Sequence, residues 1–317
     1  MTQAAVTNLE QIDSLDTLYE RVAEHNMCTG WNKPTPSIWP EPRANLLPHV
    51  WPWKDARAAL HAAGGLIDTK LAERRNLVLI NPREGNTYDT VRTLVSAYQM
   101  IRPGEKARSH RHAPNALRLI VEGEGAYTIV DGQRLDMTPG DVVLTPGWCW
   151  HGHGSESTTD CYWIDFLDVP LVHLLEPMFF QPHGDGFEEV RESPSQSPYV
   201  FHIKDFEPKL DAAHPDPLGG RRLAFDTPSM PTIALSVQKF AAGESSQPVR
   251  TTVNNLFGVI KGSGRTLADG VEMAWNAGDV IAVPSWRAFH HATDEGALLL
   301  NVTDEPVMAA LGFLKEG

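Results

Sequence analysis

The feature of this sequence that most restricts its fold is an internal repeat of turn residues. Three glycines recur 139 positions later, and four further turn positions recur 138 positions later. The recurring pairs are Gly104/Gly243, Gly123/Gly262, Gly125/Gly264, Gly140-Asp141/Gly278-Asp279, Pro146/Pro284 and Trp148/Trp286. Short apolar segments typical of strands lie between them, such as ALRLIVEG and NLFGVIKG. The repeat therefore predicts two tandem β-barrels of common ancestry in an all-β protein.

A helical arm is expected before the barrels. Apolar residues from Leu9 to Val22 have helical spacing, and a stretch rich in Pro and Trp follows them. A short helix is predicted from Lys54 to Ala63, ended by Gly64-Gly65. The predicted domains are the arm (1–75), the first barrel (76–176), a Pro-rich connection without clear periodicity (177–225) and the second barrel (226–317).

Composition excludes several classes of partner. The net charge is −13, from 40 acidic and 27 basic residues, so a nucleic acid or an anionic membrane is not expected to bind. The sequence has no apolar run long enough to span a bilayer, and its first residues lack the pattern of a signal peptide. Three cysteines do not make a disulfide framework, which favours the cytoplasm.

A cluster of histidines in the first copy predicts a metal site. His110 and His112 are two residues apart, so on a strand their side chains project from the same face. A third ligand is expected from the later run TPGWCWHGH, where His151 and His153 are alternatives. Surface histidines at loop ends are the ordinary interpretation of an isolated HxH. The third histidine at a predicted strand end favours a catalytic metal site, in which three protein ligands leave positions open.

The second copy lacks this pattern. Val249 and Thr251 stand 139 positions after the HxH pair, and neither is a plausible ligand. His290 follows Val249 by 41 residues, as His151 follows His110. Because one histidine does not hold an ion, this barrel is expected to be metal-free and to serve packing and subunit contacts.

These motifs resemble a known family. The order PG-x5-HxH, a strand pair and GD-x3-TPxWxWH is similar to the two motifs of the cupin superfamily of jelly-roll barrels. The fuller pattern HRHAPNALRLIVEG…YTIVDG…PGD…TPGWCWHGHG resembles the two-cupin gentisate and salicylate 1,2-dioxygenases, which include enzymes for 1-hydroxy-2-naphthoate and 5-substituted salicylates. The similarity is strongest over residues 74–168. A glutamate common in other cupins is replaced by Ala116-Leu117-Arg118, as in this family, whose iron is held by three histidines.

The resemblance and the strand pattern assign roles to further residues. Arg118 shares the parity of the HxH pair, so it is expected to face inward and pair with a substrate carboxylate. The resemblance implies roles near substrate or oxygen for His153 and Asp165, although Asp165 is equally well explained as a strand-end cap. It further implies that Gln99 lines the pocket and that Arg74 or Arg75 holds the substrate anion.

The predicted function is an Fe(II)-dependent dioxygenase that opens a 2-hydroxybenzoate between its carboxyl- and hydroxyl-bearing carbons with O2. Val95 stands where the family has Trp, and Ala97 where Gly is common, so a ring substituent is expected and gentisate itself is not assumed. A homo-oligomer, tetramer or dimer, is implied by resemblance. The alternatives are a non-catalytic protein of two cupins that binds a small aromatic acid, and a Zn- or Mn-dependent isomerase or hydrolase.

Overall fold

The computed structural model describes residues 9–43, 45–68 and 74–317. The chain divides into two compact units, one ending at Arg43 and one beginning after it. In the first unit a 3-10 turn (Leu9–Gln11) precedes helix α1 (Leu15–Glu24), within the segment predicted to be helical. Helix α1 begins after Ser14, whose Oγ accepts a hydrogen bond from the Thr17 amide and satisfies one of the free amides of the first turn.

The second unit is built mainly of strands. Its helices are α2 (Trp53–Leu66), α3 (Val169–Leu175), α4 (Ile203–Ala212) and α5 (Glu305–Ala310). The strands of its first half are β1 (His49–Trp51), β2 (Arg75–Val78), β3 (Val95–Ile101), β4 (Lys106–His112), β5 (Ala116–Glu122), β6 (Ala126–Val130), β7 (Gln133–Met137), β8 (Val142–Thr145), β9 (His151–Ser155) and β10 (Cys161–Leu167). The strands that follow are β11 (Phe180–Pro182), β12 (Val200–Phe201), β13 (Arg221–Phe225), β14 (Ala234–Phe240), β15 (Asn255–Ala268), β16 (Val271–Asn276), β17 (Val280–Val283), β18 (Phe289–Ala292) and β19 (Ala297–Thr303).

Two barrels account for these strands, as the repeat predicts. The first is closed by a sheet in the order β12-β8-β5-β10-β3-β2 facing a sheet in the order β11-β4-β9-β6-β7. In the second, strands follow the order β1-β17-β15-β19-β14-β13, and the long β15 also pairs with β16 and β18. The two halves are the jelly rolls of a cupin fold.

The equivalent turns of the two barrels have the same backbone conformation. Trp148 has a φ of 67° and Trp286 a φ of 64°, a left-handed conformation that is rare for a large side chain. In the first barrel the Trp148 amide donates to the carbonyl of His112, the second histidine of the HxH motif. In the second barrel the Trp286 amide donates to the carbonyl of Thr251, which stands at the equivalent position. The repeat in the sequence is therefore a repeat of turn geometry.

The largest apolar core lies between the two barrels. Along β5 the residues Leu117 and Leu119 face this shared core, whereas Arg118 and Ile120 face the interior of the first barrel. At the closest approach, a Cβ added to Gly258 would lie 2.6 Å from Leu119 Cδ2. Strand β5 is thus buried on both faces over most of its length, which gives the barrel a rigid wall on that side.

Each barrel is completed by the segment that precedes the other barrel. Strand β1 pairs with β17 of the second barrel, and the Trp53 amide at the start of α2 donates to Asp279 at 2.7 Å. In the same way β12 pairs with β8 of the first barrel, and the Ile203 amide at the start of α4 donates to Asp141 at 2.8 Å. The aspartates of the two Gly-Asp turns therefore cap helices.

Two buried aspartates join the barrels, because each accepts a hydrogen bond from a residue of the other barrel. Asp304 accepts hydrogen bonds from Asn254 and from Thr93, which belongs to the first barrel. Asp168 accepts from Asn115 and from Thr232, which belongs to the second barrel. These hydrogen bonds satisfy the carboxylates in an environment where an unpaired charge would be costly.

Two local expectations are wrong. Helix α2 continues through Gly64 and Gly65, because Gly64 lets the helix pack against Met100: a Cβ there would lie 2.7 Å from Met100 Cε. The segment predicted as a connection without periodicity, 177–225, contains β11, β12, α4 and β13. Its elements are short, and their partners are distant in sequence, so no local period reveals them. None of the helices in the described residues has the length and apolar character needed to cross a membrane.

Candidate metal centre

Three histidines converge inside the first barrel. His110 and His112 extend from the same face of β4, and His151, at the start of β9, lies directly opposite His110 in the strand pairing. One ligand nitrogen from each residue lies within 4.8 Å of the others, and the ring centroids of His151 are 4.5 Å and 4.8 Å from those of His110 and His112. The three side chains form a metal-binding site, with His151 as the third member.

Hydrogen bonds to backbone carbonyls orient the three rings. The Nδ1 atoms of His110, His112 and His151 lie 3.3 Å, 2.8 Å and 3.0 Å from the carbonyl oxygens of Arg108, Pro114 and Cys149. A carbonyl only accepts, so each Nδ1 carries the proton and the lone pair of each neutral ring is on Nε2. Carbonyls that accept from Nδ1 orient metal-ligating histidines in this way.

The surroundings keep the imidazoles neutral. Burial lowers the pKa of His110 to about 3 and that of His112 to about 4, and it places the pKa of His151 well below its ordinary range. His151 Nε2 is buried and has no hydrogen-bond partner among the described residues. A buried, unpaired lone pair beside two others fits a divalent metal, and three neutral nitrogens suit Fe, Zn, Cu or Ni by donor type.

His153 is held differently from the three ligands. Its Nδ1 lies 3.0 Å from Thr128 Oγ1 on the neighbouring strand β6, and its ring centroid is 6.2 Å from that of His151. The side chain is buried, and its Nε2 has no hydrogen-bond partner among the described residues. His153 therefore presents one imidazole nitrogen next to the metal site without joining the ligand group.

A buried chain of polar side chains lies on the sheet opposite β4. Arg118 is 1% exposed, and its Nε lies 3.3 Å from Asp165 Oδ1. Its terminal nitrogen donates to Thr145 Oγ1 at 3.3 Å. Asp165 also accepts a hydrogen bond from the Gln99 amide, and the Gln99 oxygen accepts one from Arg74. The structure thus brings together Arg74, Gln99, Asp165 and Arg118 in one network.

The alternatives left open in the sequence are now separated. Arg74 belongs to the network, whereas the Arg75 guanidinium donates to the Ile67 carbonyl and pairs with Glu105. Among the described residues, no backbone amide donates to the Asp165 carboxylate, as it would to a strand-end cap. It forms an ion pair with Arg118 across adjacent strands, where the two residues are paired in register.

Burial perturbs the charged groups of this network. Burial lowers the pKa of Arg118 to about 10, with Arg74 adding to that effect, so the guanidinium stays protonated at neutral pH. Burial raises the pKa of Asp165, and Arg118 opposes that rise. The positive charge of Arg118 therefore lies in the barrel interior beside a cluster of neutral imidazoles, where it can pair with an anionic ligand.

Several contributors were not singled out from the sequence. Thr128 and Thr145 have the inward parity of their strands, and that signal was available. Phe180, whose ring centroid is 5.1 Å from that of His110, comes from the segment predicted as a connection and gave no local signal. Val95 and Ala97 are buried on the same strand face as Gln99, in line with their expected place in the pocket wall.

The structure corrects one equivalence between the barrels. The bridge between Val249 and Phe289 in the second barrel corresponds to the pair of His110 and His151 in the first. Phe289, not His290, therefore occupies the position of the third ligand. The correct offset on this strand is 138, because the second copy has one residue fewer between the HxH position and the Gly-Asp turn that follows it.

Comparison with known proteins agrees with this geometry. A family model described as a cupin domain matches residues 97–169. The 5-aminosalicylate 1,2-dioxygenase of a Comamonas species is 34% identical over 95% of this chain and 90% of its own length. Gentisate 1,2-dioxygenase 1 of Aquipseudomonas alcaligenes is 32% identical over 94% of each chain.

A solved structure shows the same architecture throughout. Salicylate 1,2-dioxygenase from Pseudaminobacter salicylatoxidans superimposes with a TM-score of 0.88 at 26% identity, over 97% of this chain and 99% of that one. The fold and the site define a two-barrel cupin that carries a three-histidine metal-binding site. The chain belongs to the gentisate and salicylate 1,2-dioxygenase family of ring-cleaving enzymes.

Proposed function

We propose that this protein is an Fe(II)-dependent dioxygenase that opens a 2-hydroxybenzoate between its carboxyl- and hydroxyl-bearing carbons with O2. The observation that carries the proposal is the convergence of three neutral histidines, whose ligand nitrogens lie within 4.8 Å of one another, beside the buried Arg118. Relatives named for gentisate, 5-aminosalicylate and salicylate support the substrate class.

The metal would be held by His110, His112 and His151 through Nε2. A ferrous ion supplies the redox chemistry with dioxygen that no amino-acid side chain offers. The three ligands carry no charge, so the ion keeps its full double positive charge. The site therefore suits a substrate with two adjacent oxygen donors and a negative charge, which describes a carboxylate beside a phenol oxygen.

Arg118 is proposed to bind the substrate carboxylate. Asp165 forms an ion pair with the guanidinium, and Thr145 accepts a hydrogen bond from one terminal nitrogen, so the two residues together restrain the fork. A fork held in this way pairs with a carboxylate in one orientation. Arg74, anchored by Gln99, adds a second positive charge that attracts the anion into the barrel.

His153 is proposed to move a proton. Burial and the nearby charge of Arg118 place the pKa of His153 well below its ordinary range, so the ring is neutral in the empty site. Thr128 fixes the ring through Nδ1, and Nε2 is left to exchange a hydrogen bond with the substrate hydroxyl or oxygen. Val95 and Ala97 are proposed to admit a ring substituent, since Val is much smaller than the Trp that the family places there.

The test is anaerobic loading with Fe(II), followed by oxygen uptake. The substrate panel holds gentisate, salicylate, 5-aminosalicylate, 5-nitrosalicylate and 1-hydroxy-2-naphthoate. Uptake with ring-opened product is expected for at least one of them. If protein shown to contain iron consumes no oxygen with any member, the proposal fails. Activity only after Zn(II) or Mn(II) loading, without oxygen uptake, would favour an isomerase or hydrolase.

The ligand assignment has its own matched test. His110→Ala should abolish stoichiometric iron, measured by elemental analysis of the folded variant. His290→Ala is the control, because this residue belongs to the second barrel and should leave the iron content unchanged. Persistent iron in the first variant would show that the ligand set is wrong. A homo-oligomer and a cytoplasmic location stay predictions of the sequence, to be tested by light scattering and by cell fractionation.

A further inference from the structure

The second barrel contains a cavity at the position of the metal site. Its volume is about 240 Å³, and its walls include Val249, Phe257, Phe289, His291 and Asn301. Two of these walls, Val249 and Phe289, occupy the positions of metal ligands in the first barrel. The cavity is thus the counterpart of the metal site, and it keeps the space while lacking the metal-binding side chains.

The charged pair of the first barrel has an uncharged counterpart here. Phe257 is paired with Asn301 across β15 and β19, as Arg118 is paired with Asp165 across β5 and β10. An aromatic ring replaces the guanidinium, and an amide replaces the carboxylate. Because the positions of the metal ligands and of the Arg118–Asp165 pair are now neutral, the chemistry of this cavity favours an uncharged ligand.

His291 offers a hydrogen-bond donor to the cavity. The Trp275 indole donates to Thr266 Oγ1 at 2.9 Å, and Thr266 Oγ1 lies 2.7 Å from His291 Nδ1. The indole can only donate, and among the described residues Nδ1 is the one acceptor within reach of the Thr266 hydroxyl hydrogen. The hydroxyl therefore donates to Nδ1, and the neutral ring carries its proton on Nε2. This Nε2 is buried and has no partner among the residues that the structure describes. Burial also lowers the pKa of His291 to about 3, which keeps the ring uncharged.

Asn301 offers an acceptor to the same cavity. Its amide nitrogen points to Asn255 Oδ1 at 3.4 Å, whereas its Oδ1 is buried without a partner in the described parts of the chain. The cavity therefore presents one unsatisfied donor and one unsatisfied acceptor between aromatic and aliphatic walls. Buried polar atoms of this kind are normally satisfied, so an occupant with the complementary pair of groups is expected.

We propose that the second barrel binds a small uncharged phenol. The hydroxyl would accept from His291 Nε2–H and donate to Asn301 Oδ1, and the ring would lie against Phe257 and Phe289. A dry cavity of about 150 Å³ is known to admit benzene, so the space here is sufficient for one substituted ring. This inference is independent of the proposed ring cleavage, because it concerns a barrel without the metal ligands.

The mouth of the cavity opposes an anionic ligand. Glu305 and Glu316 lie among its lining residues, against a single guanidinium from Arg222, which donates to Ser236 Oγ at 3.1 Å. The neutral His291 adds no positive charge. A benzoate is therefore expected to bind more weakly here than a phenol of the same size, in contrast to the first barrel.

The test uses the iron-loaded full chain under anaerobic conditions, with 4-fluorophenol as the probe and ¹⁹F NMR as the readout. One site per chain is expected, with a dissociation constant of about 0.1–1 mM for a ligand of this size. 4-Fluorobenzoate is measured in parallel on His110→Ala, where the metal site no longer competes for the anion. Its affinity for the second barrel should be at least tenfold weaker.

Matched variants locate the site. Asn301→Leu should weaken 4-fluorophenol binding about fivefold, the loss of one hydrogen bond. Val249→Phe should abolish binding by filling the cavity, while Val271→Phe, at an exposed position of the same barrel, should leave it unchanged. His110→Ala should also retain binding. Thermal unfolding of each variant shows that the fold persists.

Three results would overturn the proposal. The first is the absence of probe binding up to 10 mM, roughly tenfold above the weakest affinity expected. The second is binding that is lost in His110→Ala and kept in Val249→Phe, which would assign the phenol to the first barrel. The third is binding of 4-fluorobenzoate as tight as that of 4-fluorophenol in His110→Ala, which would refute the uncharged class of ligand.

Discussion

Replacing Arg118 with methionine separates the two roles assigned to this arginine. The residue is 1% exposed and is the cation closest to the buried Asp165, at 3.3 Å. Removing one member of a buried ion pair costs about 3–5 kcal/mol, because the other charge is left uncompensated. Asp165 can escape part of this cost by taking up a proton, so we expect a loss of about 3 kcal/mol in the free energy of unfolding, measured by urea denaturation.

The same change should reduce catalysis through substrate binding. A hydrogen bond to a charged group contributes about 1.5–3 kcal/mol, which corresponds to a loss of roughly 10- to 150-fold in kcat/KM. The assay is oxygen uptake by iron-loaded protein, with substrate concentration varied to separate KM from kcat. Most of the loss is expected in KM, because Arg118 would hold the carboxylate both before and during the reaction.

A double variant keeps the two effects apart. In Arg118→Met/Asp165→Asn no buried charge is left unpaired, so stability should recover by about 2 kcal/mol while kcat/KM stays low. Arg265→Met is the control, since its partner Asp294 is 83% exposed and the pair should contribute below about 1 kcal/mol. Wild-type kcat/KM in the single variant would refute the substrate role. A double variant as unstable as the single one would refute the ion-pair argument.

Three further predictions concern stability and specificity. Half-burial, together with Asp131, raises the pKa of Glu188 to about 7 from an ordinary 4.5. Between pH 4.5 and pH 7 the Glu188 carboxyl is therefore protonated in the folded state and ionised in the unfolded state. The free energy of unfolding falls as the pH rises through this range. Glu188→Gln should therefore stabilise the protein by about 1 kcal/mol at pH 8, after discounting for exposure, and have no effect at pH 4 in urea titrations. Thr93→Val should lower the free energy of unfolding by about 1.5–3 kcal/mol, because it removes a hydrogen-bond donor to the buried carboxylate of Asp304. A loss below about 0.5 kcal/mol, a third of the smallest expected value, would contradict this prediction. Val95→Trp should narrow the ring substituents accepted in the oxygen-uptake panel, and an unchanged substrate profile would contradict the assignment of this pocket wall.

Much of the metal site was predictable because its signals are local. His110 and His112 are two residues apart on one strand, and the later histidine lies at a strand end, so period-two alternation was enough to propose the cluster. The choice between His151 and His153 was not local. It depends on the pairing of β4 with β9 and on Thr128, which lies on a third strand.

The equivalence between the barrels shows the limit of counting along the chain. A shift of one residue in register transfers every side chain to the other face of a strand. His290 was assigned to the ligand position by its spacing, but the pairing of Val249 with Phe289 shows that the phenylalanine stands there. His291, one residue later, then becomes the counterpart of His153 and faces the interior.

The sequence by itself determined the duplication, the all-β class, the HxH pair of metal ligands and the inward direction of Arg118, because turn residues and strand alternation are properties of neighbouring positions. Only the tertiary structure decided which arginine joins the site and how the barrels exchange β1 and β12. It also revealed that the second barrel keeps a cavity at the position where the first barrel has its metal ligands. These features depend on contacts between residues far apart in the chain, and such contacts are chosen by the packing of whole strands and helices against each other.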